Sequence, residues 1–370
     1  MTGALPHNQI LLGDAVEEMN KLPAASMDLV FADPPYNMQL EDELWRPDYS
    51  KVDAVDDEWD KFDSFRAYDR FTEKWLRAAR RVLKDNGALW VIGSYHNIYR
   101  VGKLLQDLGF WILNEIIWIK LNPMPNFKGV RFTNAHETLI WAKKSKQSRY
   151  TFNYHAMKPF NHGKQMRSLW TLPICKGGER IQVDGEKAHS AQKPEVLLYR
   201  VLLSSTNPGD VVLDPFFGTG TTGAVAKLLH RRWIGIERNP AYQQLAKKRI
   251  DSLEPESFDR KAFDVRDKKR LAPRVPFARL VEYGLLHPGA KLFFNKDAEM
   301  TATLKPDGKL LYNGFEGSIH QTARHIRDGK PVNGWQHWYF RDETHQLKSI
   351  DTLREKIRQD MEGWPDPEEN

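Results

Sequence analysis

The stretch VVLDPFFGTGTTGAVAKLLHRRWIGIE, residues 211–237, admits few folds. A short apolar run at 211–213 ends in Asp214, and a glycine-rich turn follows. Val225, Leu228 and Leu229 then fall at helical spacing, before a second apolar run at 233–236. Two short buried strands bridged by a helix read as a parallel pair, because parallel neighbours need a crossover connection. Such a sheet must be covered on both faces.

The same alternation runs through the N-terminal half. Residues 10–12 read as a strand, with Val16, Met19 and Leu22 as a helical stripe, and residues 29–32 as the next strand. Tyr68, Phe71, Trp75, Ala79 and Val82 predict a long helix with Gly87 as its stop. A strand at 89–92 leads to a helix marked by Ile98, Val101, Leu105 and Leu108; strands at 111–120 and 138–142 and a helix from Pro194 come after. The class is therefore α/β, with helices on both faces of a mostly parallel sheet.

Residues 143–192 break the rhythm, mixing Lys and Arg with Tyr, Phe and Trp. We read a catalytic domain over 1–258 that includes this segment, a charged linker over 259–273, a small α+β domain over 274–360 and an acidic tail over 361–370. The formal charge of +6 suits a polyanionic partner without requiring one. One cysteine, Cys175, builds neither a disulfide framework nor a cysteine-based zinc site, so a cytoplasmic protein is expected. No metal and no membrane span are expected.

The turn at 214–220 brings backbone and a helix N-terminus close to a ligand, and Glu237 ends the next strand where a carboxylate can accept from both ribose hydroxyls. These residues fit NAD and S-adenosylmethionine alike. Asp214-Pro215-Phe216 separates them: an acid and an aromatic face suit an ammonium and a sulfonium, and suit a pyrophosphate badly.

Asp33-Pro34-Pro35-Tyr36 follows the strand at 29–32, at the carboxyl edge where open α/β sheets bind ligands. A carboxylate, a carbonyl fixed by two prolines and a ring suit a planar base with an exocyclic amine. A dehydrogenase has no use for this tetrad.

With both motifs in this order, the chain resembles the β class of DNA adenine-N6 methyltransferases, and more narrowly the cell-cycle-regulated enzymes of the CcrM type. The resemblance rests on GDAVEEMNKLPAASMDLVFADPPYNMQL, VIGSYHNIYRVG, NPMPNFKGVRFTNAHETLIWA, AQKPEVLLYRVL and DPFFGTGTTGAVA, and it extends to NGWQHWYF near the C-terminus. The family's HPTQKP stands here as residues 189–194, HSAQKP.

The resemblance implies a Rossmann-like S-adenosylmethionine-dependent methyltransferase sheet with permuted motif order. It implies that Asp33 and Pro34 hold the target amine, with Pro35 fixing the turn and Tyr36 stacking on the base. Asp14, Lys193, Asp214, Phe216, Gly218, Gly220, Thr221 and Glu237 would form the cofactor site; helix capping explains Asp14 nearly as well.

The implied partner is double-stranded or hemimethylated DNA, the site GANTC, and the assembly a homodimer. In-line transfer to a flipped base needs no covalent intermediate, which agrees with the absence of a Pro-Cys nucleophile around Cys175. Candidate DNA contacts are Leu40, Leu44 and Trp45 after the tetrad, and Asn122, Asn126 and Arg131 in the Pro-rich loop. Lys144, Arg149 and Arg167, interleaved with aromatics, and Trp335 near the C-terminus complete the set. Cytosine-N4 methylation uses the same fold but usually carries Ser at the position of Asp33. A non-catalytic DNA-binding module would leave both motifs unexplained.

Overall fold

A computed structural model describes residues 5–38, 60–126, 129–183, 185–188, 191–263, 265 and 274–361. The chain divides into two compact units, residues 1–267 and 268–370.

The first unit runs β1 (Gln9–Leu12), α1 (Ala15–Lys21), β2 (Met27–Ala32), α2 (Phe65–Val82), β3 (Leu83–Gly93), α3 (Ile98–Asp107), β4 (Trp111–Lys120) and β5 (His136–Lys143). It continues through α4 (Tyr154–Met157), β6 (Leu169–Leu172), β7 (Gln182–Val183), β8 (Glu186–Lys187), α5 (Glu195–Ser205), β9 (Val211–Asp214), α6 (Thr221–Leu228), β10 (Arg232–Glu237) and α7 (Pro240–Asp251). Eight strands form one sheet in the order β1-β10-β9-β2-β3-β5-β4-β6, and β5 alone runs against its neighbours.

Period-two alternation sorts the sheet side chains. Val30 and Ala32 of β2 and Leu89 and Val91 of β3 pack with Met19, Trp75 and Val101 of α1, α2 and α3. Leu29, Phe31, Trp90 and Ile92 face the other way, onto Leu198, Val225 and Ile250 of α5, α6 and α7. Helices therefore cover both faces, as the continuous apolar runs require.

Two expectations are corrected here. The long helix ends at Val82 rather than at Gly87: Leu83 turns extended and pairs directly with Met27. Gly87 lies inside β3, where a Cβ would come within 2.9 Å of the Met27 carbonyl, so close strand approach explains it. Residues 143–192 are also less irregular than their sequence suggests, since Leu169–Leu172 joins the main sheet beside β4.

The second unit holds a six-stranded antiparallel sheet ordered Phe315–Gly317, Leu310–Tyr312, Thr301–Leu304, Lys291–Phe294, Trp338–Arg341, Leu347–Ser349. Helices Ile319–Ile326, started by a Ser318/Gln321 capping box, and Ile350–Met361 contribute to its core. Trp335 belongs to that core. It is 6% exposed, edge-on to Phe277 at 5.7 Å and under the Arg354 guanidinium at 4.4 Å. Buried in this way, it does not present the surface on which a DNA contact was expected of it. Among the described residues no helix is long and apolar enough to cross a membrane.

Candidate active site

From β2 the chain proceeds to β3 on one side, and from β9 to β10 on the other, so the strand order reverses between β2 and β9. Diverging connections leave a crevice at the carboxyl ends of such a pair. Val30 pairs with Leu213, which sets Asp33, just past the end of β2, beside Asp214, the last residue of β9. The two motifs, whose leading aspartates are 181 residues apart in sequence, meet at this switch point.

The tetrad is held from several directions. Tyr68 of α2 donates its hydroxyl to the Pro35 carbonyl at 2.8 Å, and Asn97 donates to that hydroxyl at 3.1 Å. Asp60 accepts the backbone N–H groups of Tyr36, Asn37 and Met38 at 2.5, 2.8 and 2.8 Å. Burial pushes the Tyr68 phenol up to about 12, so it remains a donor. Asn37 follows with both side-chain amide atoms buried, and neither has a hydrogen-bond partner among the described residues. Buried polar atoms left unmet in this way mark a place where a ligand can supply partners.

Five ionisable groups converge inside. The Lys193 ammonium lies 2.6 Å from Asp33 Oδ2 and 5.2 Å from the centre of the Tyr36 ring. Tyr36 Oη lies 3.1 Å from Asp33 Oδ1 and 3.0 Å from Glu137 Oε2. Lys120 pairs with Glu137 Oε1 at 2.7 Å. Burial pushes the Asp33 carboxyl above its ordinary value despite Lys193. Burial would raise Glu137 too, but Lys193 and Lys120 hold it below the usual carboxylate range. Desolvation pulls Lys193 down, and Asp33 and Glu137 outweigh it to hold the amine above its usual value. Tyr36 is raised by burial and by both carboxylates, so its proton stays on.

Across the crevice, Asp214 is turned inward. Its carboxylate accepts the Phe216 N–H at 2.9 Å and the Thr222 hydroxyl at 2.6 Å, and burial pushes it up to about 7. It shapes the turn as well as lending it an acid. Two of the glycines are required by packing. A Cβ at Gly220, which caps α6 at φ 76°, would meet Ala246 at 2.9 Å, and one at Gly223 would meet the Phe217 ring at 2.6 Å. Phe216, half-buried, lies edge-on to Trp75 at 5.5 Å.

Glu237 accepts the Gly218 N–H and the Asn239 N–H, both at 2.7 Å, which fixes its carboxylate beside the turn. Leu12 pairs with Glu237, so Asp14 follows the neighbouring strand end; its carboxylate accepts the N–H groups of Val16 and Glu17 and caps α1. Thr221 donates to the Lys193 carbonyl at 3.2 Å. An acid for ribose hydroxyls, an aromatic face and a buried acid near the turn form a donor set that fits S-adenosylmethionine. Lys193, expected at the cofactor, places its ammonium on Asp33 and its carbonyl on the Thr221 hydroxyl.

The expected DNA contacts separate into groups. Asn122, Asn126 and Arg131 lie in the loop between β4 and β5, which opens from the carboxyl edge and is closed at its base by the Lys120 N–H to the Ala135 carbonyl. Arg131 reaches the Tyr95 hydroxyl at 3.4 Å, and Asn126 accepts the Val130 N–H.

Lys144 lies at the other edge. It binds the Leu83 carbonyl, and Leu83 pairs with Met27, six residues or about 20 Å along the strand from Asp33. Arg149 occupies the same turn after β5, where Lys143 binds the Ser148 carbonyl. Arg167 precedes the edge strand β6, four strand spacings or about 19 Å across the sheet from β2.

Of the aromatics among these basic residues, Tyr150 and Phe152 pack on Trp141, each at 5.4 Å, and Trp170 lies 5.9 Å from Trp90. Leu40, Leu44, Trp45, His189 and Ser190 lie outside the described residues. Cys175 is buried, its thiol pushed up to about 11 by burial.

Sequence reasoning missed Glu137, Lys120 and Asp60. The signal for the first two was present: an acid opens the apolar strand HETLIWAK and a lysine closes WILNEIIWIK, which puts both at one end of an antiparallel pair. Nothing marks Asp60, 24 residues beyond Tyr36.

Residues 27–248 match the family model described as DNA methylase (N6/N4), and residues 259–363 match one described as Restriction Enzyme Adenine Methylase Associated. The type II methyltransferase M.HinfI of Haemophilus influenzae is 48% identical over 349 residues, covering 94% of this chain and 96% of that one. M2.LlaDCHI of Lactococcus lactis subsp. cremoris is 45% identical over 247 residues, covering 66% and 90%. The solved PvuII DNA methyltransferase (cytosine-N4-specific) shares the fold, with a TM-score of 0.51 at 21% identity over 69% of this chain and 90% of that one. With the two motifs joined at the switch point, these matches place the chain in the N6/N4 family of site-specific DNA methyltransferases, with S-adenosylmethionine as cofactor.

Proposed function

We propose that the chain methylates N6 of adenine in duplex DNA, within GANTC, as a homodimeric enzyme of the cell-cycle-regulated kind. The observation that carries this reading is Lys193 on Asp33. An N–H donor bonded to the first residue of the tetrad, near the Tyr36 ring, presents what an exocyclic amine on a stacked base would present. Asp33 rather than Ser favours adenine over cytosine. The description of the second matching family, which names adenine methylases, supports the same choice.

S-adenosylmethionine supplies the methyl group. Asp33 Oδ2 accepts one N6–H once Lys193 has withdrawn, and the Pro34 carbonyl accepts the other. That grip turns the nitrogen lone pair toward the donor, so that positioning supplies the main rate gain. Tyr36 stacks on the base and keeps its proton. Asp33 takes the proton that the amine sheds after transfer.

Residues 259–360 serve as linker and DNA-binding accessory domain, and Asn122, Asn126 and Arg131 reach the duplex from the β4–β5 loop. The test is nucleoside mass spectrometry of unmethylated plasmid DNA incubated with the protein and S-adenosylmethionine. N6-methyladenine is the expected product, and N4-methylcytosine in its place would sink the base assignment.

A further inference from the structure

Tyr36 has one hydroxyl hydrogen and two carboxylates within reach, at 3.1 Å on Asp33 and 3.0 Å on Glu137. It can donate to only one at a time. Asp33 must give its lone pairs to the incoming amine, so the acceptor that stays with Tyr36 through the reaction is Glu137. That carboxylate is pinned: one oxygen faces Tyr36 and the other is held by Lys120 at 2.7 Å. At its other end Tyr36 is tied by its N–H to Asp60.

The ring is thus fixed at both ends, with the Lys193 ammonium 5.2 Å from its centre where an amine-bearing base would have to enter. A buried Lys–Glu pair adds little stability over an apolar pair of the same size, so stability alone gives no reason for one at the mouth of a crevice.

We infer that Glu137, anchored by Lys120, is a positioning residue for methyl transfer: it fixes the Tyr36 hydroxyl and with it the plane against which the target base stacks. This rests on the reading that Tyr36 stacks on the base. It concerns the orientation of the ring whichever base is methylated.

The test is a double-mutant cycle on the full-length protein, read as single-turnover methylation of duplex DNA with labelled S-adenosylmethionine. Calorimetric cofactor binding serves as the folding control. Glu137→Ala and Tyr36→Phe are each expected to slow transfer on the order of tenfold or more, with the KM for DNA little changed. Combined, they should be no worse than the slower single variant to within about twofold, because both remove one interaction. Glu137→Gln, whose amide oxygen still accepts from the hydroxyl, should stay within about threefold of the parent protein.

Multiplicative losses, a Gln variant as slow as Ala, or an Ala variant as fast as the parent would each overturn the inference. If Glu137→Ala does not bind cofactor, Lys120→Met decides. It leaves the carboxylate in place but loose, and an unchanged rate counts against positioning. The cycle is read on whichever base the parent protein methylates. Formation of N4-methylcytosine would therefore overturn the proposed function and leave this inference standing.

Discussion

The two edges of the eight-stranded sheet carry their charge in opposite ways. At the carboxyl edge Asp33, Tyr36, Glu137, Lys193 and Asp214 are withdrawn from water and bonded to one another or to the turns around them. At the amino edge Lys144 binds a backbone carbonyl and Asp85, whose side chain is 95% exposed, and Arg149 faces solvent nearby. Solvated ions keep their hydration, whereas a buried ion must find a partner or lose its charge. At the amino edge Asp85 and Arg149 can be explained as surface. Charge at the carboxyl edge requires a function that repays its desolvation, and pairing of each group with a neighbour ties their protonation states together.

Asp33→Ala should show the contrast at its largest. It removes the acceptor for the amine and leaves the cofactor turn untouched. Transfer should fall on the order of a thousandfold while cofactor binding persists. A loss of cofactor binding to the same extent would mean that Asp33 belongs to a different subsite. Asp60→Ala comes next, because three backbone N–H groups lose one acceptor and the exit of the tetrad loosens. A rate loss of about ten- to a hundredfold, or roughly 1.4–2.8 kcal/mol in the barrier, is expected. An unchanged rate would show that the prolines alone hold the turn.

The legible part of this molecule is what obeys a period or a motif. The β2 and β9 runs, the turns after them and the sheet class follow from apolar spacing, and the two loops follow from residue chemistry. What was lost depends on strand direction. Lys144 and Arg149 read as DNA contacts because basic and aromatic residues interleave around them. Yet β5 runs antiparallel and delivers them to the far edge, while its first residues, with Glu137, arrive at the crevice.

Composition carries no sign of that reversal. Trp335 lies in the core for a reason equally hidden: an aromatic cluster looks the same in sequence whether it faces a base or fills a core. Asp60 acts through backbone N–H groups, which a sequence does not display.

Asp214 sharpens the comparison through pH. Its carboxyl titrates at about 7 when folded and near 3.8 in its ordinary state, so the folded chain holds the proton more tightly. The stabilisation from that proton is whole below about 3.8 and is lost as pH rises through about 7. Asp214→Asn keeps the shape without the charge. Its melting temperature should therefore decline less between pH 5 and 8 than that of the parent protein, the two diverging by a few degrees at about pH 8. Parallel curves would mean that Asp214 stays ionised throughout and that the carboxyl edge is better solvated than its packing indicates.

The smallest effect belongs to the amino edge, and it is the comparison's strictest test. Lys144→Ala removes an ion pair with an exposed partner, for which a stability loss of about 1 kcal/mol or less is expected. Because Lys144 sits about 20 Å along the strand from Asp33, its KM for DNA should change less than about twofold. Arg131→Ala, in the loop that opens from the carboxyl edge, should weaken DNA binding several-fold more and lower the salt dependence by about one ion. The two variants carry the same change in charge, so net electrostatics cannot separate them. Only position on the sheet can. Equal losses, with equal changes in salt slope, would show that the duplex reaches around to the amino edge and that both edges of the sheet bind DNA.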